Sequence, residues 1–278
     1  MLYLLLAVFC SALVSLIMRA SSDNVCAKKA MLLSNYAVCC ILAAAFTGFD
    51  KLFVQSSSLT HTLLFGVTNG ALYLAGFLLL QWSVGRYGVV MPSVFMRMGL
   101  LVPLVLSIAV FRERPTAAQI IGFCIAIAAI LLINLEKNTA QNNAGPGLLL
   151  LLLANGTADA MSKVYEVYGD ATLQQQFLLY TFASAGLFCF LLLLAGKERM
   201  GKYELLFGAL IAVPNFLSAR FLLLSLNTLP AVIAYPTYAV ATILAVTLAG
   251  VVLFKEKLRK RQLLAIAAIL VALALLNI

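Results

Sequence analysis

Apolar residues fill this chain in blocks long enough to cross a bilayer, broken only by short clusters of charge and turn residues. A hydrocarbon core of ~30 Å takes ~20 helical residues per crossing. Dividing the sequence at those clusters predicts ten helices, roughly 1 to 18, 31 to 48, 62 to 82, 88 to 111, 116 to 135, 147 to 165, 174 to 195, 204 to 226, 230 to 254 and 261 to 277. Each is read as a transmembrane span. Met1 is followed at once by apolar residues, without a basic n-region or a small-residue cleavage site, so the first block is read as a retained helix rather than a signal peptide.

The pattern is written twice. Phe77-Leu78-Leu79-Leu80 recurs 144 residues later as Phe221-Leu222-Leu223-Leu224, and the same offset lays Pro92 on Pro236. At 143 residues Glu113, Gln119 and Asn134 fall on Glu256, Gln262 and Asn277. The expected organisation is a first five-helix repeat over 1–137, a polar linker over 138–146 and a second repeat over 147–278. A repeat of this length is no solenoid unit; in an apolar chain it points to two related bundles enclosing a pathway. Because five spans is an odd number, the halves are expected to be inverted relative to one another.

Composition narrows the reading. With 10% charged residues and a mean hydropathy of +1.05, the chain lacks the polar surface to coat a water-soluble globule. The loops are too short to enclose a soluble active site, so binding must occur at membrane depth. The net charge of +9 is spread over the loops, which fits membrane topology rather than nucleic acid. Lys and Arg gather after spans 1, 3, 5, 7 and 9 (Arg19, Lys28, Lys29, Arg86, Lys137, Lys197, Arg199, Lys202 and the run Lys255 to Arg261), against Lys51, Arg112, Arg114 and Lys163 on the other side. The positive-inside rule then places both termini outside.

Several chemistries are excluded. His61 is the only histidine and lies at a loop boundary, which removes His-based metal sites and Ser-His or Cys-His catalysis. The cysteines show no metal or redox spacing, and no metal or cofactor is expected. No phosphate-cradling Gly-rich loop ending in Lys-Ser or Lys-Thr is present, so a gradient rather than ATP is the expected driving force. The spans hold one clear acid, too little for an intramembrane enzyme. Arginines and prolines within spans are hard to justify in a passive scaffold, though they do not exclude one.

Ten spans, a duplication at five, and in each half a Pro near the start of the fourth helix followed by a charged turn and a fifth helix resemble the drug/metabolite transporter superfamily, its EamA-type members most closely. The matching stretches are Pro92 through Arg112-Glu113-Arg114 into Gln119 to Asn134, and Pro236 through Lys255-Glu256-Lys257 into Gln262 to Asn277. The resemblance covers essentially the whole chain. It implies an all-helical membrane protein with two inverted five-helix repeats around a central cavity, alternating access, and movement of small organic solutes, often outward. It carries over no catalytic residue. Familiar bacterial members keep both termini in the cytoplasm, the reverse of what the charges favour here.

Arg97 and Arg220 interrupt otherwise apolar spans. A guanidinium near the bilayer centre costs roughly 2.5 to 3.5 kcal/mol on insertion scales, so each is expected either to meet substrate in a wet cavity or to be tied to carbonyls or the interface. Span 6 carries Asn155, Asp159 and Lys163 at i, i+4 and i+8, on one helix face that cannot look at lipid. Asp159 either pairs with Lys163 a turn away, neutralises an arginine across the cavity, or takes up protons. The related small multidrug resistance proteins exchange protons for cationic drugs through a carboxylate in their first helix. Span 1 here has none, and aligning on Lys163 puts that carboxylate position at Asn155.

Asn69, Tyr73, Gln81, Trp82, Ser93, Asn215, Ser218, Tyr235, Thr237 and Tyr238 are further pocket candidates, with interhelical bonding or an interfacial belt as the competing roles. Pro92, Pro103, Pro214 and Pro236 are candidate kinks or gates. Gly66 with Gly70, and Gly122 with Ala126, read as close helix contacts. Spans 5 and 10, nearly without interior polar groups, read as peripheral supports or a homodimer seam. The leading expectation is a plasma-membrane secondary transporter of a small anionic or zwitterionic, amino-acid-like solute, by export or exchange. The alternative is a proton-coupled exporter of lipophilic cations.

Overall fold

The computed structural model describes residues 1–21, 27–52, 58–87, 92, 95–96, 98–99, 101–134, 146–196, 200–254 and 260–277. Among them are ten α-helices: α1 (Leu2–Ser21), α2 (Lys28–Thr47), α3 (Leu59–Tyr87), α4 (Leu101–Ala109), α5 (Ala117–Asn134), α6 (Pro146–Tyr168), α7 (Gln174–Ala195), α8 (Lys202–Leu226), α9 (Ala231–Phe254) and α10 (Lys260–Leu276). Two 3₁₀ turns, Phe49–Lys51 and Ala171–Leu173, follow α2 and precede α7. Most of the polar linker lies outside the described residues, and so do Arg97 and Ser93.

Helix is the form an apolar chain must take where no water can satisfy its backbone. Five segments are long and apolar enough to cross a membrane among the described residues: Lys28–Thr47, Leu59–Leu80, Ala171–Ala195, Lys202–Leu226 and Ala231–Val252. The burial pattern is that of a protein solvated by hydrocarbon. Leu2 is 69% exposed and Val252 74%, while the amide of Asn35 and the hydroxyl of Ser225 are shut inside. Local signals set the helix ends. Thr116 and Gln119 form a capping box on α5: the Thr116 hydroxyl accepts from the Gln119 N–H (3.2 Å), and the Gln119 amide oxygen accepts from the Thr116 N–H (3.0 Å). This gives the paired Gln119 a structural purpose. Before the second 3₁₀ turn, the N–H and hydroxyl of Thr172 donate to Asp170 and hold its carboxyl below the usual carboxylate range.

The duplication is visible in the packing. α1 packs on α8 and α9, and the corresponding helix of the second half, α6, packs on α3 and α4. α2 against α8 is matched by α7 against α3, while α2–α7, α4–α9 and α5–α10 pair each helix with its own repeat mate. Small residues make the closest of these contacts. Gly66 and Gly70 of α3 lie directly on Phe177, Tyr180, Thr181 and Ser184 of α7, and Gly122 of α5 lies on Ala272 and Leu275 of α10. A Cβ at Gly70 would overlap the Ser184 hydroxyl and crowd the Thr181 carbonyl. Gly70→Leu is therefore expected to destabilise the protein by ~1–3 kcal/mol or more, the range for overpacking a dense contact, read as a lower melting temperature in detergent.

Candidate functional site

Among the cavities that the described residues form, two lie side by side within the bundle and share one pair of lining side chains. The wider, about 250 Å³, is lined by Val14 and Met18 of α1, Met31, Leu32, Asn35 and Tyr36 of α2, Tyr73, Gly76, Phe77 and Leu80 of α3, Met96, Asn155 of α6, and Ile211 and Asn215 of α8. It runs from mid-helix residues toward Met18, Met31 and Leu80, in the C-terminal part of α1, the first turn of α2 and the C-terminal half of α3. The narrower, about 220 Å³, is lined by Ser11, Met96, Asn155, Asp159, Tyr235, Tyr238, Ala239 and Thr242. Met96 and Asn155 belong to both.

The hydrogen bonds decide what the narrow chamber offers. Tyr235 donates its hydroxyl proton to the Asp159 backbone carbonyl (2.8 Å). Ser218 donates to the Ala7 carbonyl (3.1 Å), so in its 3.0 Å contact with Tyr238 the tyrosine is the donor. The Asn155 amide nitrogen donates to the Leu151 carbonyl (3.0 Å). These bonds commit the Tyr235 and Tyr238 protons, while the Asn155 amide keeps a second N–H and the Thr242 hydroxyl has no partner among the described residues, so donors as well as acceptors lie beside the Asp159 carboxylate.

Asp159 does not pair with Lys163, one of the possibilities its spacing allowed. The lysine is taken by Glu166 (2.6 Å) and by Glu113 (3.2 Å), with its ammonium 5.8 Å from the Phe111 ring centroid. Among the described residues, the Asp159 carboxylate has no ion-pair partner. Glu166, one turn on from Lys163 toward the end of α6, is held by it.

Glu113 also reaches α9. Arg112, at φ 56°, takes the left-handed conformation that usually falls to glycine at a helix end, and the Glu113 N–H closes onto the Ser107 carbonyl (3.0 Å). The turn delivers the Glu113 carboxylate to the first N–H groups of α9, Ala231 (3.1 Å) and Val232 (2.9 Å). A negative charge there satisfies orphan donors and complements the helix dipole. Glu113, Lys163 and Glu166 thus tie α4, α6 and α9 together at the end of the bundle beyond Asp159.

The expected site residues separate into three groups. Tyr73, Asn155, Asp159, Asn215, Tyr235 and Tyr238 line the chambers. Asn69 and Arg220 do not line either one. Asn69 is buried and donates to the Thr181 hydroxyl of α7 at 3.5 Å, a bond between helices. Arg220 stacks its guanidinium on Phe46 of α2, 4.1 Å from the ring centroid, a cation–π contact across the α2–α8 seam. Arg97 and Ser93, and the side chain of Gln81, are outside the described residues. Trp82 lies against Gly147 with its indole under the Arg86 guanidinium, half exposed as an interfacial anchor is.

Of the prolines, Pro214 and Pro236 lie within α8 and α9, and Pro92 is buried. Pro103 sits in the first turn of α4 as described. Its missing N–H leaves the Gly99 carbonyl to accept from Val102 instead (2.9 Å), where Gly99 passes close to Gly156 of α6. α5 and α10 line neither chamber and pack on one another around Ala126, Ala129, Ile269 and Ala272.

Sequence reasoning missed Asn35, Ser11, Met96 and Thr242. Asn35 carries the clearest signal, an amide in an apolar block. With the span begun at 31 it reads as interfacial, whereas α2 begins at Lys28 and buries it, accepting from the Asn215 amide at 3.3 Å.

An all-helical bundle with an apolar exterior and long apolar helices is the architecture of a multi-pass membrane protein. Residues 1–135 and 146–278 each match the EamA-like transporter family, and the chain belongs to that family, within the drug/metabolite transporter superfamily. No curated protein matches it. Among the solved structures that do, one described only as the crystal structure of a protein shares 13% identity with a TM-score of 0.77, over 99% of this chain and 94% of that one, which is a likeness of fold.

Proposed function

We propose that the chain is a secondary transporter of the plasma membrane that moves a small amine-bearing solute, zwitterionic and amino-acid-like, by alternating access, as an exporter or exchanger. In this reading all ten helices span the bilayer as two inverted repeats, 1–137 and 147–278, with both termini outside. The observation that carries it is the narrow chamber, where Asp159 lacks a cationic partner among the described residues and Tyr235 and Tyr238 give their protons to other acceptors. A protonated amine supplies the positive charge this arrangement lacks. The amides of Asn35 and Asn215 in the wider chamber are placed for the solute's opposite end, with Arg97 and Ser93 of the fourth span kept as further ligands on sequence grounds. Arg220 is assigned to holding α8 against α2.

A thermal-shift screen of amines, amino acids and simple carboxylates on the purified protein tests the substrate class, since a ligand of the folded state raises apparent stability by mass action. Amines and zwitterions are expected to raise the melting temperature and simple carboxylates to leave it unchanged; the opposite order contradicts the reading. A second reading, proton-coupled export of lipophilic cations, is favoured by the apolar walls of the wider chamber beside a lone carboxylate. It predicts shifts by quaternary cations, which have no N–H to donate. For orientation, a C-terminal reporter active only in the cytoplasm is expected to stay dark, and a bright signal reverses the topology.

A further inference from the structure

We propose that Gly76 and Asn155 are the gauge of the passage between the two chambers, with Gly76 the residue whose size decides what may pass. The proposal rests on reading the chambers as one solute path. Asn155 lines both chambers, and Gly76 of α3 faces it from the wider one. The amide of Asn155 covers the backbone of Gly76 closely: a Cβ at position 76 would stand 3.0 Å from Oδ1 and 3.2 Å from both Cγ and Nδ2. The bond to the Leu151 carbonyl anchors that amide from its own helix. A methyl group at 76 therefore pushes the amide by a few tenths of an ångström, and a branched side chain must displace it from its seat at the junction. The next residue of α6, Gly156, is pressed against Gly99 and Val102, which limits how far α6 can shift there. The displacement falls on the side chain at the neck.

No helix-end or positive-φ requirement explains glycine at this position. Gly76 lies well inside α3, where glycine is about 1 kcal/mol less favourable than alanine, and its φ is not in the left-handed region. The position one repeat later is Arg220, so the missing side chain belongs to the first half alone. A glycine kept against helix propensity, with a polar amide seated on it at the junction of two chambers, sets an aperture.

The test needs no knowledge of the substrate. Ser11 lines the narrow chamber but not the wider one, so Ser11→Cys places a thiol beyond the neck. Sealed vesicles presenting the face at the C-terminal end of α1 are treated with the membrane-impermeant probe 2-(trimethylammonio)ethyl methanethiosulfonate. Labelling is read by intact mass against the parent, whose native cysteines give the background. Ser11→Cys is expected to label. Adding Gly76→Ala should slow the reaction, and Gly76→Val should slow it about tenfold or more, the scale of an overpacked close contact. Adding Asn155→Ala to Gly76→Val should restore the rate, which a merely unfolded or loosened helix would not do. The alanine variant, favoured by helix propensity, keeps the graded comparison readable if the valine variant folds poorly. Equal labelling of the glycine, alanine and valine forms overturns the gauge and leaves the path standing. No labelling of Ser11→Cys alone removes the path, and the proposal with it.

Discussion

Asp159→Asn is expected to cut the thermal stabilisation given by amine-bearing ligands by about half or more while leaving the protein folded. Asparagine keeps the shape of the side chain and removes its charge. The Tyr235 bond at this position goes to the backbone carbonyl, so the contact between α6 and α9 survives the change. What is lost is a charge-assisted bond to an ammonium group in a chamber of low polarity, worth ~1.5–3 kcal/mol, or roughly a 10- to 150-fold weaker affinity. A ligand that stabilises by ~2.7 kcal/mol at a hundred times its dissociation constant would then stabilise by only about 0.3 to 1.4 kcal/mol at the same concentration. A wild-type response in the variant would mean that the amine does not sit on Asp159.

Glu113→Ala is expected to have the largest effect on stability. It removes the acceptor for two N–H groups at the start of α9, and such a cap is worth ~0.5–2 kcal/mol. It also takes one of two carboxylates from the buried Lys163, which Glu166 alone must then hold. Breaking a fully buried pair costs ~3–5 kcal/mol, and the retained Glu166 reduces that here, so the total should come to roughly 2–4 kcal/mol. Adding Lys163→Met should recover part of the ion-pair loss and not the cap, because the buried ammonium is gone and only the part-exposed Glu166 carboxylate is left without its partner. A double-mutant cycle on melting temperature reads this directly, and additive losses would show that the pair contributes nothing.

Much of the fold was legible because uninterrupted apolarity and clustered charge are both strong and local. The predicted blocks 174 to 195, 204 to 226 and 230 to 254 correspond to α7 (Gln174–Ala195), α8 (Lys202–Leu226) and α9 (Ala231–Phe254). The small-residue pairs were legible for the same reason, since spacing alone puts Gly66 and Gly70 on one face. The site was legible only in part. Helical spacing brought Asn155 and Asp159 together, but it could not show that Glu113, from a distant turn, takes Lys163 away from Asp159. Arg220 illustrates a different limit. The penalty for an arginine in a span shows that it needs a partner; it does not distinguish a substrate in a wet chamber from the face of Phe46 on the neighbouring helix. Gly76 carries no signal in one sequence until the amide resting on it is seen.

A solute flux depending on the Asp159 charge is the direct measure of whether these chambers form a transport path. Proteoliposomes loaded with an isotopically labelled amine or amino acid chosen from the thermal screen should release it saturably with the wild-type protein, and only at the empty-liposome rate with Asp159→Asn. Equal, saturable release by both proteins would contradict an amine path through the narrow chamber.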